Sequence, residues 1–238
     1  MMLRPFFSFY GGKWRAAPRY PKPAHSHIIE PFAGSAGYAL RYPYLQVTLI
    51  EKDPQIGEVW RYLTRVSASE ILRLPDLPPS GHVDGMALPQ EARWLVGWWC
   101  QRGGSAPNKS LSAWGRDPRH RRQFWGPTAR QRIAGQVEAI RHWTIVQGDY
   151  RDAPDIPATW FIDPPYQSAG RHYRHGAAGL DYQALSEWCR SRRGQVLVCE
   201  NEGADWLPFR PLFPIKANES ASGGKVSREA IWEATCAA

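Results

Sequence analysis

The sequence predicts an α/β protein, a sheet with helices packed on it that carries one basic insertion. Three observations predict it. Runs of strand character at 27–29, 47–50, 143–146, 159–162, 195–199 and 231–232 are separated by helical or loop patterns. The first two are joined by a glycine loop and a helix start, the strand–loop–helix–strand order in which α/β sheets hold ligands. Strand patterning then lapses between 75 and 141, where loop composition and positive charge take over.

Taken in order, an aromatic opening leads to the strand end at 27–29, a helix start at 35–41 and the strand at 47–50. The stretch 55–74 has mostly helical spacing. Residues 75–88, with Pro78-Pro79 and two glycines, read as a loop entering the insertion. Inside it, 90–101 reads as a tryptophan-rich helix, 102–127 as irregular chain rich in glycine, proline and arginine, and 128–141 as a helix with Ile133, Val137 and Ile140 at helical spacing. Strand patterns return afterwards, with a helix at 182–192 between two of them. The expected division is therefore 1–74 with 142–238 for the sheet and 75–141 for the insertion.

Hydrophobic residues make up 43% and charged residues 22% of the 238, the proportions of a folded globular chain. No apolar run reaches the roughly 20 residues that span a bilayer, and the first ten residues lack the apolar stretch of a signal peptide. The expectation is a cytoplasmic protein without membrane contact. The four cysteines form no CxxC pair and have no histidine-rich partner run, which argues against disulfides and against a metal site.

The formal net charge is +8, the balance of a protein that meets a polyanion. Between Cys100 and His142, nine basic residues stand against two acidic ones. Arg102, Lys109, Arg116, Arg119, Arg121 and Arg122 are the candidate nucleic-acid contacts. Trp94, Trp98, Trp99, Trp114, Trp125 and Trp143 lie in or beside this segment, and rings next to guanidinium groups suit stacking on bases. The plainer reading is a solvated arginine face over a tryptophan-rich core.

Four short motifs carry chemistry. The sharpest is Trp160-Phe161-Ile162-Asp163-Pro164-Pro165-Tyr166, an apolar strand ending in a carboxylate, two prolines and an aromatic ring. Ligands bind beyond the carboxyl ends of such strands. Proline fixes φ and removes a donor, so Asp163 and the Pro164 carbonyl make a rigid pair of acceptors for an NH2 group, with Tyr166 available to stack on the ring bearing it. The second, Ile28-Ile29-Glu30-Pro31-Phe32-Ala33-Gly34-Ser35-Ala36-Gly37, runs from a strand into a glycine loop. Glu51 follows the next strand, where an acidic residue can hold ribose hydroxyls. The loop is not GxGxxG, so it fits a nucleoside without pyrophosphate better than a dinucleotide. The third, Phe9-Tyr10-Gly11-Gly12-Lys13-Trp14, puts an ammonium on an adaptable turn between aromatics. The fourth, Gly148-Asp149-Tyr150, puts a carboxylate and a ring at a strand end, where a turn aspartate is the alternative.

In this order the four motifs resemble those of the Dam-like, alpha-group DNA adenine-N6 methyltransferases. The likeness covers most of the chain and is poorest in the insertion, which shows no clear two-strand hairpin. Phe9 stands where Trp or Tyr is more usual, and Ala36 interrupts the common spacing of loop glycines. The resemblance implies a Rossmann-like, S-adenosylmethionine-dependent methyltransferase sheet with an inserted target-recognition subdomain, acting on double-stranded DNA as a monomer. It implies that Phe9, Tyr10 and Lys13 contact S-adenosylmethionine, that residues 30–34, Glu30, Phe32 and Gly34 among them, line its methionine part, and that Glu51 holds its ribose. Asp149 and Tyr150 would face its adenine. Asp163 would lie beside the cofactor and, with Pro164 and Tyr166, occupy the catalytic positions. Arg228-Glu229-Ala230-Ile231-Trp232 looks like the family's last segment. Three alternatives remain: an RNA adenine methyltransferase, a non-catalytic nucleic-acid-binding module on the same fold, and a nicotinamide-dependent oxidoreductase, which the missing GxGxxG disfavours.

Overall fold

The computed structural model describes residues 2–168, 179–216 and 226–236. Seven strands, β1 (His27–Glu30), β2 (Gln46–Glu51), β3 (Thr144–Gln147), β4 (Ala158–Ile162), β5 (Gly194–Asn201), β6 (Arg210–Lys216) and β7 (Val226–Cys236), form one sheet in the order 3-2-1-4-5-7-6. The first five pair in parallel, and β7 runs antiparallel between β5 and β6. This is the sheet order of methyltransferases. The apolar runs seen in sequence have their reason here: β4 is buried at every position, as a central parallel strand covered on both faces must be.

Among the described residues six α-helices accompany the sheet: α1 (Pro54–Arg65), α2 (Ala68–Arg73), α3 (Gln90–Trp98), α4 (Ala113–Arg116), α5 (Pro127–Ala134) and α6 (Tyr182–Arg190). Asp53 starts α1 by accepting from the Gln55 N–H. The expected helix at 55–74 divides because Ser67 and Glu70 form a capping box that starts α2 afresh. The helix expected at 128–141 likewise stops at Gly135 and resumes as a 3-10 turn, Val137–Ile140.

Two further elements differ from the sequence reading. The helix expected at 35–41 is a run of turns ending in a 3-10 turn at Ala39–Arg41. Gly34 and Ala36 have φ of +46° and +50°, a left-handed geometry that breaks a helix. Strand β6 was not anticipated, because Pro211 and Pro214 punctuate it. It lies at the sheet's edge, where a missing N–H is tolerated.

Residues 75–141 add no strand, and their buried side chains, among them Val83, Leu95, Trp98, Phe124, Trp125 and Ile133, join the same core cluster as Trp60 and Leu63 of α1. The amino terminus stitches the two together: Phe7 stacks on Trp98 at 5.3 Å, and Phe6 meets Trp60 edge-on at 5.7 Å. Among the described residues no helix is long and apolar enough to cross a membrane.

Candidate functional site

A cavity of about 670 Å³ opens where β1, β2, β3 and β4 end, the place where parallel α/β sheets receive ligands. Its volume falls within the range of small-molecule sites, about 300–1,000 Å³. All ten residues named as cofactor contacts, Phe9, Tyr10, Lys13, Glu30, Phe32, Gly34, Glu51, Asp149, Tyr150 and Asp163, line it. Pro165 lines it as well, whereas Pro164 and Tyr166 lie behind the wall.

The glycine loop and the amino-terminal motif interlock. A Cβ on Gly37 would stand 2.6 Å from the Trp14 amide nitrogen and 2.9 Å from Lys13 backbone atoms. A Cβ on Gly34 would meet the Phe9 ring at 3.1 Å. These glycines therefore let the loop lie against the Lys13 segment, which brings that lysine over the end of β4. Its Nζ is 2.9 Å from Asp163 Oδ1 and 4.7 Å from the centroid of the Tyr166 ring.

Burial dominates the electrostatics. It raises the Asp163 carboxyl above its ordinary range, with the Lys13 ammonium opposing the shift. Burial also lifts Glu30 to about 8, against the pull of the Ala39 N–H that Glu30 Oε1 accepts at 2.6 Å. Glu51 rises to about 7 for the same reason, although its two oxygens accept the Gly34 and Asp53 N–H groups at 2.9 Å each. Asp149 goes the other way: burial raises it, but hydrogen bonds and charge from Arg151, helped by Lys52, outweigh burial and lower it. Beside it the rings of Phe32 and Tyr150 stack at 5.5 Å.

The tetrad after β4 is braced from behind. The Tyr182 hydroxyl donates to the Pro165 carbonyl at 2.7 Å, and the Gln167 N–H donates to Glu200 at 3.0 Å. The Tyr166 hydroxyl donates to Glu229 at 2.7 Å. Tyr166 is thus 9% exposed, with the Lys13 ammonium over its ring, and does not offer the open stacking face expected from the sequence. Glu229, Glu200, Tyr20 and Tyr182 were missed as site residues, as were the rim residues Lys52, Ser105 and Arg151. Only Glu229 lies in a segment that the resemblance singles out, Arg228 to Trp232.

The basic insertion touches the cavity rim at Ser105, held there by the Tyr10 N–H donating to the Gly104 carbonyl at 3.0 Å. Its six candidate contacts are unequal. Arg121 donates to the Trp125 and Leu77 carbonyls at 2.6 Å each, and Arg116 to the Leu111 carbonyl at 2.7 Å. Lys109 pairs with Asp84, Arg119 with Asp117, and Arg102 donates to Gln123. Arg122 is exposed. Most of the tryptophans are core residues: Trp98, Trp99, Trp125 and Trp143 are buried, while Trp114 is 45% exposed, with the Arg102 guanidinium 5.8 Å from its ring.

No family model matches the chain, and no curated protein matches it in sequence.

Proposed function

We propose that this protein is a DNA adenine-N6 methyltransferase that uses S-adenosylmethionine. The observation that carries the reading is the placement of Asp163: at the end of β4, on the wall of a cavity shared by four strand ends, in a sheet with methyltransferase order.

The residues present suit the cofactor. The cavity brings together an acidic residue at the end of β2, Glu51, the Asp149 carboxylate at the end of β3, and the ring pair that Tyr150 makes with Phe32 from the loop after β1. A carboxylate has about four lone-pair sites, so Glu51 retains acceptor capacity for hydroxyls beyond its two backbone donors. Glu51 would hold the ribose, Asp149 and Tyr150 the adenine, and the loop at 30–34 the amino-acid end. When bound, S-adenosylmethionine supplies an electrophilic methyl group on a sulfonium centre.

The chain's own part is positioning and electrostatics. An adenine amino group delocalises its lone pair into the ring and attacks poorly until that pair is localised. Asp163, on the cavity wall, accepts a hydrogen bond from one amine proton, and the adjoining Pro164 carbonyl, which does not line the cavity, would have to turn toward it to accept the second; together they draw the nitrogen toward tetrahedral geometry. Because burial raises the Asp163 carboxyl, it is a better resting place for the proton released once the nitrogen has become cationic. Lys13 holds that carboxylate in place and takes no part in the transfer. The amine is paired within a duplex, so the base must be turned out of the stack, at a cost of a few kcal/mol.

The test is transfer of labelled methyl from S-adenosylmethionine to unmethylated genomic DNA, beside structured RNA, with Asp163→Ala as control. Methylated adenine from DNA, absent in the control, is the expected result. Transfer to RNA alone would reassign the polymer. Cofactor binding without transfer to either would make the chain a binding module.

A further inference from the structure

We propose that Glu229, which lies outside the cavity, is a positioning residue for the reaction: it holds the Tyr166 ring and, through it, the Lys13–Asp163 pair. This rests on the methyl-transfer reading above.

Glu229 sits in β7 opposite Asn201 of β5 and is 4% exposed. One of its oxygens accepts two phenol protons at 2.7 Å each, one from Tyr20 and one from Tyr166. Burial raises both phenols far above their ordinary range, so each keeps its proton and acts as donor. An acceptor-only carboxylate is the side chain that satisfies two converging hydroxyls. A strand position that served packing alone would be filled at lower cost by an apolar residue, as its neighbours Ala230 and Ile231 are.

What Glu229 holds is what gives it a functional role. The ring of Tyr166 carries the Lys13 ammonium 4.7 Å from its centroid, and that ammonium is 2.9 Å from Asp163. Carboxylate, phenol ring, ammonium and carboxylate thus form one unbroken line from β7 to the cavity wall. Between Asp163 and Tyr166 stand two prolines whose rings fix φ, so the backbone holds the two side chains at a set separation and leaves the ring's own orientation to Glu229. Tyr20 anchors the other side, packed edge-on against Phe161 of β4 at 5.2 Å.

The experiment uses the full chain with 13Cζ-labelled tyrosine, comparing wild type with Glu229→Ala and Glu229→Gln, the two resonances being assigned with Tyr20→Phe and Tyr166→Phe. Glu229→Ala should move both resonances together. It should also lower kcat roughly 10- to 100-fold, as expected for a displaced reacting group, while KM for S-adenosylmethionine changes by less than about threefold. Glu229→Gln, which retains an acceptor oxygen, should recover part of kcat and serves if the alanine variant fails to fold. Adding Glu229→Ala to Tyr166→Phe should cost less in kcat than Glu229→Ala costs alone, since the two share the Tyr166–Glu229 contact. Resonances that stay in place would overturn the hydrogen-bond pair, and resonances that move without a fall in kcat would overturn the positioning role alone. A wild-type protein that methylates neither polymer would instead remove the methyl-transfer reading and this role with it, while the resonances still reported on the pair.

Discussion

Around the strand-end cavity Lys13 and Asp149 are held by charged partners, whereas in the insertion several arginines, Arg116, Arg121 and Arg132 among them, are held by backbone carbonyls. Lys13 pairs with Asp163, and Asp149 with Lys52 and Arg151. In the insertion Arg121 and Arg116 donate to main-chain carbonyls, and Arg132 reaches the Pro5 carbonyl at 2.6 Å. The difference follows from the backbone. Strands satisfy their own peptide groups and leave side chains free to be arranged around a ligand, while irregular chain leaves carbonyls that a guanidinium fork can satisfy. A charge count therefore overstates the surface available to nucleic acid, and a carboxylate at a strand end does not mislead in that way.

Glu30 beside the cavity and the carboxylates of the insertion should titrate in opposite senses, and this is the largest effect expected. Glu30 has its carboxyl raised from 4.5 to about 8. A raised acid contributes stability that is complete below the unfolded value and is lost as pH rises through the folded one. At about 1.4 kcal/mol per unit of pKa, Glu30 alone should cost a few kcal/mol between pH 4.5 and 8. Asp84 and Asp117 in the insertion are lowered, chiefly by hydrogen bonds from Lys109 and Arg119, so their contribution is lost only in acid. Glu30→Gln keeps an acceptor for the Ala39 N–H and should flatten the alkaline fall in Tm; identical Tm–pH curves for variant and wild type would show that Glu30 is not strained by its burial.

Glycines offer a second contrast. A methyl on Gly37 meets backbone of Lys13 and Trp14 at 2.6–2.9 Å, while one on Gly85 in the insertion meets nothing within 4 Å. Gly37→Ala should therefore cost about 1–3 kcal/mol, the usual penalty for overpacking, and weaken S-adenosylmethionine binding by moving Lys13. Gly85→Ala should leave Tm and binding as they were. Thermal unfolding and calorimetric titration of both variants check this, and an unaffected Gly37→Ala would mean that the loop does not set the place of Lys13.

The same contrast decides what the sequence could reveal. Ten proposed cofactor contacts line one cavity because seven lie in short motifs at strand ends, where the fold dictates direction, and Phe9, Tyr10 and Lys13 lie in the amino-terminal motif that packs against the glycine loop. Tyr166 is legible as a ring near the site but not as a buried one, since its place depends on Glu229, 63 residues on. Tyr20 and Glu229 meet across 209 residues, a separation that leaves no local pattern. Strand β6 was masked by its prolines and the false helix at 35–41 by Ala36, whose positive φ no propensity for alanine foretells. In the insertion the tryptophans were ambiguous for a simpler reason: whether such a ring stacks on a base or fills a core is settled by packing alone.

The smallest effects separate two adjacent arginines. Arg121→Ala would leave the Trp125 and Leu77 carbonyls without their donor, at a cost of about 1–3 kcal/mol if they stay unpaired, and should lower Tm. Arg122 is exposed, so Arg122→Ala should change stability by no more than about 0.5 kcal/mol. If it touches a phosphate, its loss should instead weaken duplex binding across sequences and reduce the slope of log affinity against log salt by about 1. Fluorescence anisotropy of both variants over a salt series, with their melting curves, tells the two uses of positive charge apart. A salt slope that drops for Arg121→Ala and stays unchanged for Arg122→Ala would reverse the assignment and place the nucleic-acid face on the side of the insertion that now looks inward.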